Sequence, residues 1–327
     1  MNKKIIIPVL AAGILIFGSC QKSSDIFVPD PGQVNGPDTI WQPTVTSTMP
    51  VTDLRNSLLF SPYVDSIEVN ANIATVNTSF GVQVNFPPNC CVNAAGQVIT
   101  GKVQVEIMVL KKKGDMIRMN RPTTSYDSLL VTAGELFVRL KKDGVPVQLA
   151  PNAKINIRYT DLPTSTAMKL FFGDESSLQA FTWLPNTDLQ NNLVSAGTQV
   201  YEIYTNHLRW INVAYGYTTA GAATVQVVAD LAPYFTNANT IAFTVFKDFR
   251  SVAAMHGDAV TKKFKSPTLP VGKAITVVVI SKQAGDYYLG YESAVTITPT
   301  SGTINQVVPV RPVKKSLPEI VAYLSTL

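Results

Sequence analysis

With 327 residues, 46% hydrophobic and only 15% charged, and with 19 glycines and 21 prolines, the chain has the composition of globular, β-rich protein, which excludes disorder, collagen and coiled coil. The length suffices for about two domains. The formal charge of +5 is small and scattered, and setting aside Lys3 and Lys4 with the leader described next leaves 25 basic against 22 acidic residues, which is no footprint for nucleic acid.

Lys3 and Lys4 followed by the 13-residue apolar run Ile5–Phe17 read as an export signal, since a bilayer span needs about 20 residues. Phe17-Gly18-Ser19-Cys20 then resembles the lipobox of bacterial lipoproteins, with Phe17 where the commonest versions carry Leu and looser ones occur in Bacteroidetes-type bacteria. That resemblance implies a diacylglyceryl group on the Cys20 thiol and cleavage just before it. At about 0.8 kcal/mol per buried methylene, several acyl chains hold a protein on a membrane. No later segment offers 18 consecutive apolar residues, so the expected mature protein is a body outside the bilayer on a lipid tether. Gln21 stands where the enterobacterial retention signal has Asp, which implies the outer membrane and leaves the periplasmic and cell-surface sides both open.

Residues 1–19 are thus the expected signal peptide and 20–50 a flexible tether rich in Pro, Ser, Thr, Asp and Gly, with Trp41 as its one large anchor, expected to dock on the first domain. Period-two alternation follows: Phe80, Val82, Val84 and Phe86; Val103, Val105, Ile107 and Val109; Ile155, Ile157 and Tyr159. These predict half-buried antiparallel strands separated by turns at Ala95-Gly96, Lys113-Gly114-Asp115 and Lys142-Asp143-Gly144. The adjacent Cys90 and Cys91 are too close for an unstrained disulfide. The expectation is Cys91 in an apolar core slot with Cys90 pointing elsewhere, and a vicinal disulfide as the other reading.

A break at Leu162-Pro163 separates residues 51–162 from a second β-rich block, 163–327. Strands are predicted at Met168–Phe172, Val200–Tyr204, Ala223–Val228, Ile241–Phe246, Ala274–Ile280 and Val295–Thr298, with a turn at Leu269-Pro270-Val271-Gly272. One helix start is legible, Ser316 as N-cap with Pro318 in the first turn, leading into Glu319–Leu324. The predicted fold is all-β: two antiparallel β-sandwiches and a short C-terminal helix.

Phe86-Pro87-Pro88-Asn89, Asn93-Ala94-Ala95-Gly96, Thr100-Gly101-Lys102-Val103, Ala133-Gly134-Glu135-Leu136-Phe137 and Asp143-Gly144 resemble the ZU-five β-sandwich found in ankyrins and netrin receptors, versions of which recur in Bacteroidetes envelope lipoproteins. The resemblance spans roughly residues 66 to 162 and implies fold rather than function. Self-cleavage at His-Phe-Ser, known in some relatives, is not implied, because the two histidines stand in His207-Leu208-Arg209 and His256-Gly257-Asp258. His207-Leu208-Arg209-Trp210-Ile211-Asn212 is similar to the downstream half of the same lipoproteins, with Val213-Ala214 where an Asp often follows.

No catalytic motif stands out, and only two histidines are present to serve a nucleophile, so no catalytic residue, cofactor or metal site is assigned. His207 reads as a strand histidine, His256 as part of an exposed turn, Asp174-Glu175 as a solvated turn, and the basic runs Lys111–Lys113 and Lys262-Lys263 with Lys265 as solvated loops or strand edges. Aromatics are the remaining site candidates: Trp210, Tyr215 and Tyr217, and the cluster Tyr287, Tyr288 and Tyr291. The expected function is a non-enzymatic binding or structural module, anchored to the membrane by its N-terminal lipid and meeting envelope proteins or glycans. Two alternatives stand beside it. A glycan-binding surface lipoprotein aiding polysaccharide capture requires those rings in a flat exposed row, and a carboxylate-dependent hydrolase requires two acids facing each other.

Overall fold

Residues that alternate apolar and polar form strands, and the computed structural model is accordingly all-β, with only short helices. It describes residues 39–176, 181–196, 199–217, 223–299 and 305–327. The expected signal peptide, the lipidated Cys20 and tether residues 21–38 lie outside the described residues.

Helix α1 (Pro50–Leu58) leads into β1 (Tyr63–Val69), β2 (Ala74–Asn77), β3 (Val82–Phe86), β4 (Cys91–Val92) and β5 (Gly101–Leu110). After α2 (Lys113–Arg118) come β6 (Thr124–Ser125), β7 (Ser128–Lys142), β8 (Val145–Leu149), β9 (Ile155–Thr160), β10 (Lys169–Asp174), β11 (Thr182–Pro185), β12 (Asn192–Ala196), β13 (Val200–Thr205) and β14 (Arg209–Gly216). The rest of the body comprises β15 (Thr224–Asp230), β16 (Thr240–Phe246), β17 (Val252–Asp258), β18 (Lys263–Pro270), β19 (Ala274–Gln283), β20 (Asp286–Thr296), β21 (Asn305–Pro309), β22 (Val313–Lys315) and α3 (Leu317–Leu324). Among the described residues no helix is long and apolar enough to cross a membrane.

The first sheet runs β1-β5-β7-β14-β10-β11, the second β12-β13-β9-β3-β2, and the third β21-β15-β18-β17-β16-β19-β20-β22. Neighbours are antiparallel except β15 and β21, which are parallel. The break at Leu162-Pro163 does not divide the sheets. β10, β11 and β14 lie beyond it yet extend the first sheet, where Asn212 pairs with Glu135 of β7, and β13 pairs with β9 in the second. The proline marks a connection inside the first sandwich, whose strands continue to Gly216; the third sheet starts at Thr224.

Three apolar cores result. Val84, Ile157 and Ile203 of the second sheet face Val105, Val138 and Ile211 of the first, and the one-sided strands β3 and β9 show the alternation their sequences carry. The third sheet encloses its own core, shared by Val227 of β15, Leu269 of β18, Phe246 of β16 and Val279 of β19. A third cluster joins the outer face of the first sheet to the third: Leu110, Phe137 and Trp210 share it with Phe243, Val245 and Ile280. The helices fill this seam with Leu54 and Leu58 of α1, Met116 and Ile117 of α2, and Ile320 and Leu324 of α3. Strands bounding two cores lose the alternation, and every residue of β16 is buried.

Main-chain bonds also cross the seam. Thr123 N–H donates to the Val252 carbonyl at 2.8 Å and Thr132 N–H to that of Arg250 at 3.1 Å. The Arg250 guanidinium reaches the Ala133 carbonyl at 2.7 Å and both Asp161 oxygens at 3.2 Å.

Two expected local structures are replaced. Lys113-Gly114-Asp115 is the first turn of α2 rather than a hairpin, and Gly114 packs against the last turn of α3, where an added Cβ would lie 1.8 Å from the Leu324 carbonyl oxygen. Trp41 docks on the third sheet, not on the first sandwich: its ring lies 5.1 Å from that of Phe264 in β18. The C-terminal helix forms as expected, with a capping box between Ser316 and Glu319 that holds the Glu319 carboxyl down to about 2, chiefly through the Ser316 N–H.

Candidate functional site

The predicted aromatic row is not assembled. Trp210 is only 2% exposed, because β14 turns it into the seam, where it packs 5.0 Å from Phe137 under the Arg121 guanidinium. Tyr215 is half-buried, and Tyr217 stacks on Phe249 at 4.8 Å. Tyr287 donates to Ser57 Oγ of α1 at 3.0 Å, Tyr288 packs edge-on against Phe235, and Tyr291, 51% exposed, stacks on Tyr323 of α3 at 4.3 Å. These rings fasten elements to one another, and the platform that the glycan reading requires is not formed by them.

Charged candidates are likewise engaged. Asp174 and Glu175 do not face each other as an acid pair. Asp174 accepts from the Ser176 N–H, while Glu175 is clamped by Arg121 and Arg209. Burial pushes the Glu106 carboxyl up, but hydrogen bonds from Lys141 and Arg139 overcome this and hold it below the ordinary range. The lysine runs are not simply solvated. Lys113 donates to the Phe246 carbonyl across the seam at 2.6 Å, Lys111 donates to the Thr160 carbonyl, and Lys263 and Lys265 pair with Asp230 and Asp258. His207 lies between strands with its ring 4.2 Å from Phe172, and burial, with the Arg209 charge, lowers its pKa. Cys90 and Cys91 are both buried free thiols with sulfurs 3.5 Å apart, so Cys90 does not point away from the core. Among the described residues no group of three or more His, Cys, Asp and Glu side chains is placed to hold a metal.

A different region has the form of a binding site. The end of the tether crosses the third sheet, held by reciprocal bonds in which Gln42 N–H donates to Asn237 Oδ1 at 2.9 Å and Asn237 Nδ2 donates to the Gln42 carbonyl at 2.6 Å. Val51 N–H donates to the Ala238 carbonyl and thereby fixes the start of α1. Between this segment, α1, β16 and β17 lies a cavity of about 230 Å³, walled by Phe181, Ile241, Phe243, Met255 and Phe264, with Arg55 and His256 also at its surface.

Arg55 owes its position to helical periodicity. Val51, Leu54 and Leu58 are the buried stripe of α1, and Arg55 stands at the i+4 position of that stripe, where an apolar residue is the rule. Its Nε is buried without a hydrogen-bond partner, and burial pushes the guanidinium below its ordinary pKa. Burial, and then the Arg55 charge, lower the pKa of His256, with Asp127 opposing. His256 belongs to β17 rather than to a turn, and it also lines a second cleft of about 250 Å³. The spacing of Val51, Leu54 and Leu58 is the sequence signal that points to α1 and so to Arg55.

Neither a scan against protein-family models nor a search of curated proteins returns a match to this chain.

Proposed function

We propose that the chain is a lipid-anchored protein of a bacterial outer membrane whose all-β body serves as a non-enzymatic binding or structural module. The observation that carries the reading is Gly18-Ser19-Cys20 closing an apolar leader, followed by a Pro-rich segment. The ZU-five resemblance of residues 66 to 162 agrees with the all-β body and with an envelope lipoprotein. The tether's distal part bears on the function too: Trp41 packs on Phe264 of the third sheet and Gln42 is bonded to Asn237, so about 20 residues separate a lipid at Cys20 from the first contact with the body.

Envelope fractionation tests the anchor. The wild-type chain is expected in the membrane pellet with an acylated N-terminal Cys20 peptide by mass spectrometry, and Cys20→Ser in the soluble fraction. Retention of Cys20→Ser in the pellet, or a mature N-terminus elsewhere, refutes the lipid assignment. Capture of a specific envelope component by the acylated chain is the expected sign of a binding role.

A further inference from the structure

We propose that the cavity beside α1 binds a small organic carboxylate, with Arg55 taking the carboxylate and the apolar wall taking an aromatic or branched hydrocarbon body. The inference rests on reading the body as a binding module, and adds to it a ligand class and a place.

Arg55 differs from the other arginines of the chain. Each of the seven others donates to a carboxylate or a backbone carbonyl: Arg118 to Leu58, Arg121 and Arg209 to Glu175, Arg139 to Glu106, Arg158 to Glu202, Arg250 to Asp161 and Arg311 to Asp230. Arg55 has no such partner among the described residues, although its Nε is buried. A buried donor left unpaired costs the desolvation of that group, and more for a charged one. Arg55 lines the cavity, so an acceptor entering it can pair with the guanidinium, which has no partner among the described residues of the fold. The planar guanidinium fork matches two coplanar oxygens, which is carboxylate geometry.

The surroundings select further. Among the described residues no acidic side chain lines the cavity, so nothing there competes for the guanidinium or repels an anion. The other polar side chains are largely taken, Asn237 by Gln42 and Thr240 by Asn239 and Ser281. The remaining wall offers Phe181, Ile241, Phe243, Met255 and Phe264, against which a bare inorganic anion would leave apolar surface unfilled. Size sets the upper bound: a cavity of roughly 150 Å³ accommodates benzene, and about 230 Å³ leaves room for a ring plus one carboxylate. It is below the roughly 300 Å³ at which sites for larger ligands begin.

Calorimetric titration of the purified full chain in non-ionic detergent tests this, with benzoate as the probe and benzyl alcohol and inorganic phosphate as controls. Benzoate is expected to bind saturably at one site, and benzyl alcohol at least about tenfold more weakly, since a hydrogen bond to a charged group contributes roughly that factor or more. Arg55→Gln is expected to reduce benzoate affinity about tenfold or more. Ala254→Leu fills the cavity without touching the charge and is expected to abolish binding. Circular dichroism and melting curves establish that both variants are folded. Three results overturn the proposal: no saturable benzoate binding by the folded wild type, equal affinity in Arg55→Gln, or phosphate binding as tightly as benzoate. Because none of these readouts depends on the membrane, failure of the anchor and failure of the ligand assignment are separable.

Discussion

Glu135 is wholly buried on β7, between Leu110 of β5 and Asn212 of β14, and neither of its carboxyl oxygens has a hydrogen-bond partner. Burial pushes its pKa well above the ordinary carboxylate range, with the nearby Arg121 charge opposing. Arg121 does not neutralise it, because its guanidinium pairs with Glu175 while stacking on Phe181 and Trp210. The folded state therefore keeps a proton that the unfolded chain releases above about pH 4.3, and stability contributed at low pH is lost as pH rises from there towards the folded-state pKa. Glu135→Gln has the same shape and does not titrate. At pH 8 it is expected to exceed the wild type in stability, with the gap closing near pH 4. Denaturant titrations across that range decide it, and parallel curves would mean that Glu135 titrates in the folded protein as it does in the unfolded chain.

The helices show what sequence periodicity reveals and what it hides. α3 is legible because Ser316, Pro318 and Glu319 supply N-cap, first-turn proline and capping box within four residues. α1 is harder to read, because only Val51, Leu54 and Leu58 mark its apolar stripe and Arg55 stands within it. α2 reads as a turn since Lys-Gly-Asp is equally good turn chemistry, and what decides for a helix is the close approach of α3. One-sided strands such as β3 and β9 are readable from alternation, whereas the continuous apolar run of β16 signals a strand without saying what covers its second face. The aromatics around Trp210 are visible as residues, but their burial depends on a seam formed by chain segments far apart in sequence. A substitution at Gly114 tests the element-level packing. Gly114→Ala places a methyl 1.8 Å from the Leu324 carbonyl oxygen, a backbone atom that can yield only if α3 moves. The expected loss is about 1–3 kcal/mol, typical of overpacking, with faster proteolysis at the C-terminus; unchanged stability would show that α3 is not held as tightly as this contact requires.

Two sandwiches that share a core need not unfold separately. Interfaces between loosely joined domains are small and polar, whereas here Phe137, Trp183, Trp210, Phe243 and Ile280 lie in one buried cluster filled by three helices. Fully burying each such side chain contributes about 1.5–3 kcal/mol, so exposing the seam while both sandwiches stay folded is strongly unfavourable. Arg250 adds a polar clasp, tying the β16–β17 turn to the Thr132 and Ala133 carbonyls and to Asp161, all on the first sandwich. The tryptophans report on different places: Trp41 lies on Phe264 of the third sheet, and Trp183 and Trp210 lie in the seam. Urea unfolding followed by fluorescence and by circular dichroism is therefore expected to give one coincident transition. Two separated transitions in the wild type would instead mark independent domains. Arg250→Ala removes the clasp and leaves Asp161 unpaired at the seam, at an expected cost of about 2 kcal/mol given the usual contribution of hydrogen bonds to charged groups. Asp161→Asn retains a side-chain acceptor for Arg250 and is expected to cost less. If both substitutions are neutral, the joint between the sandwiches is held by the apolar core alone.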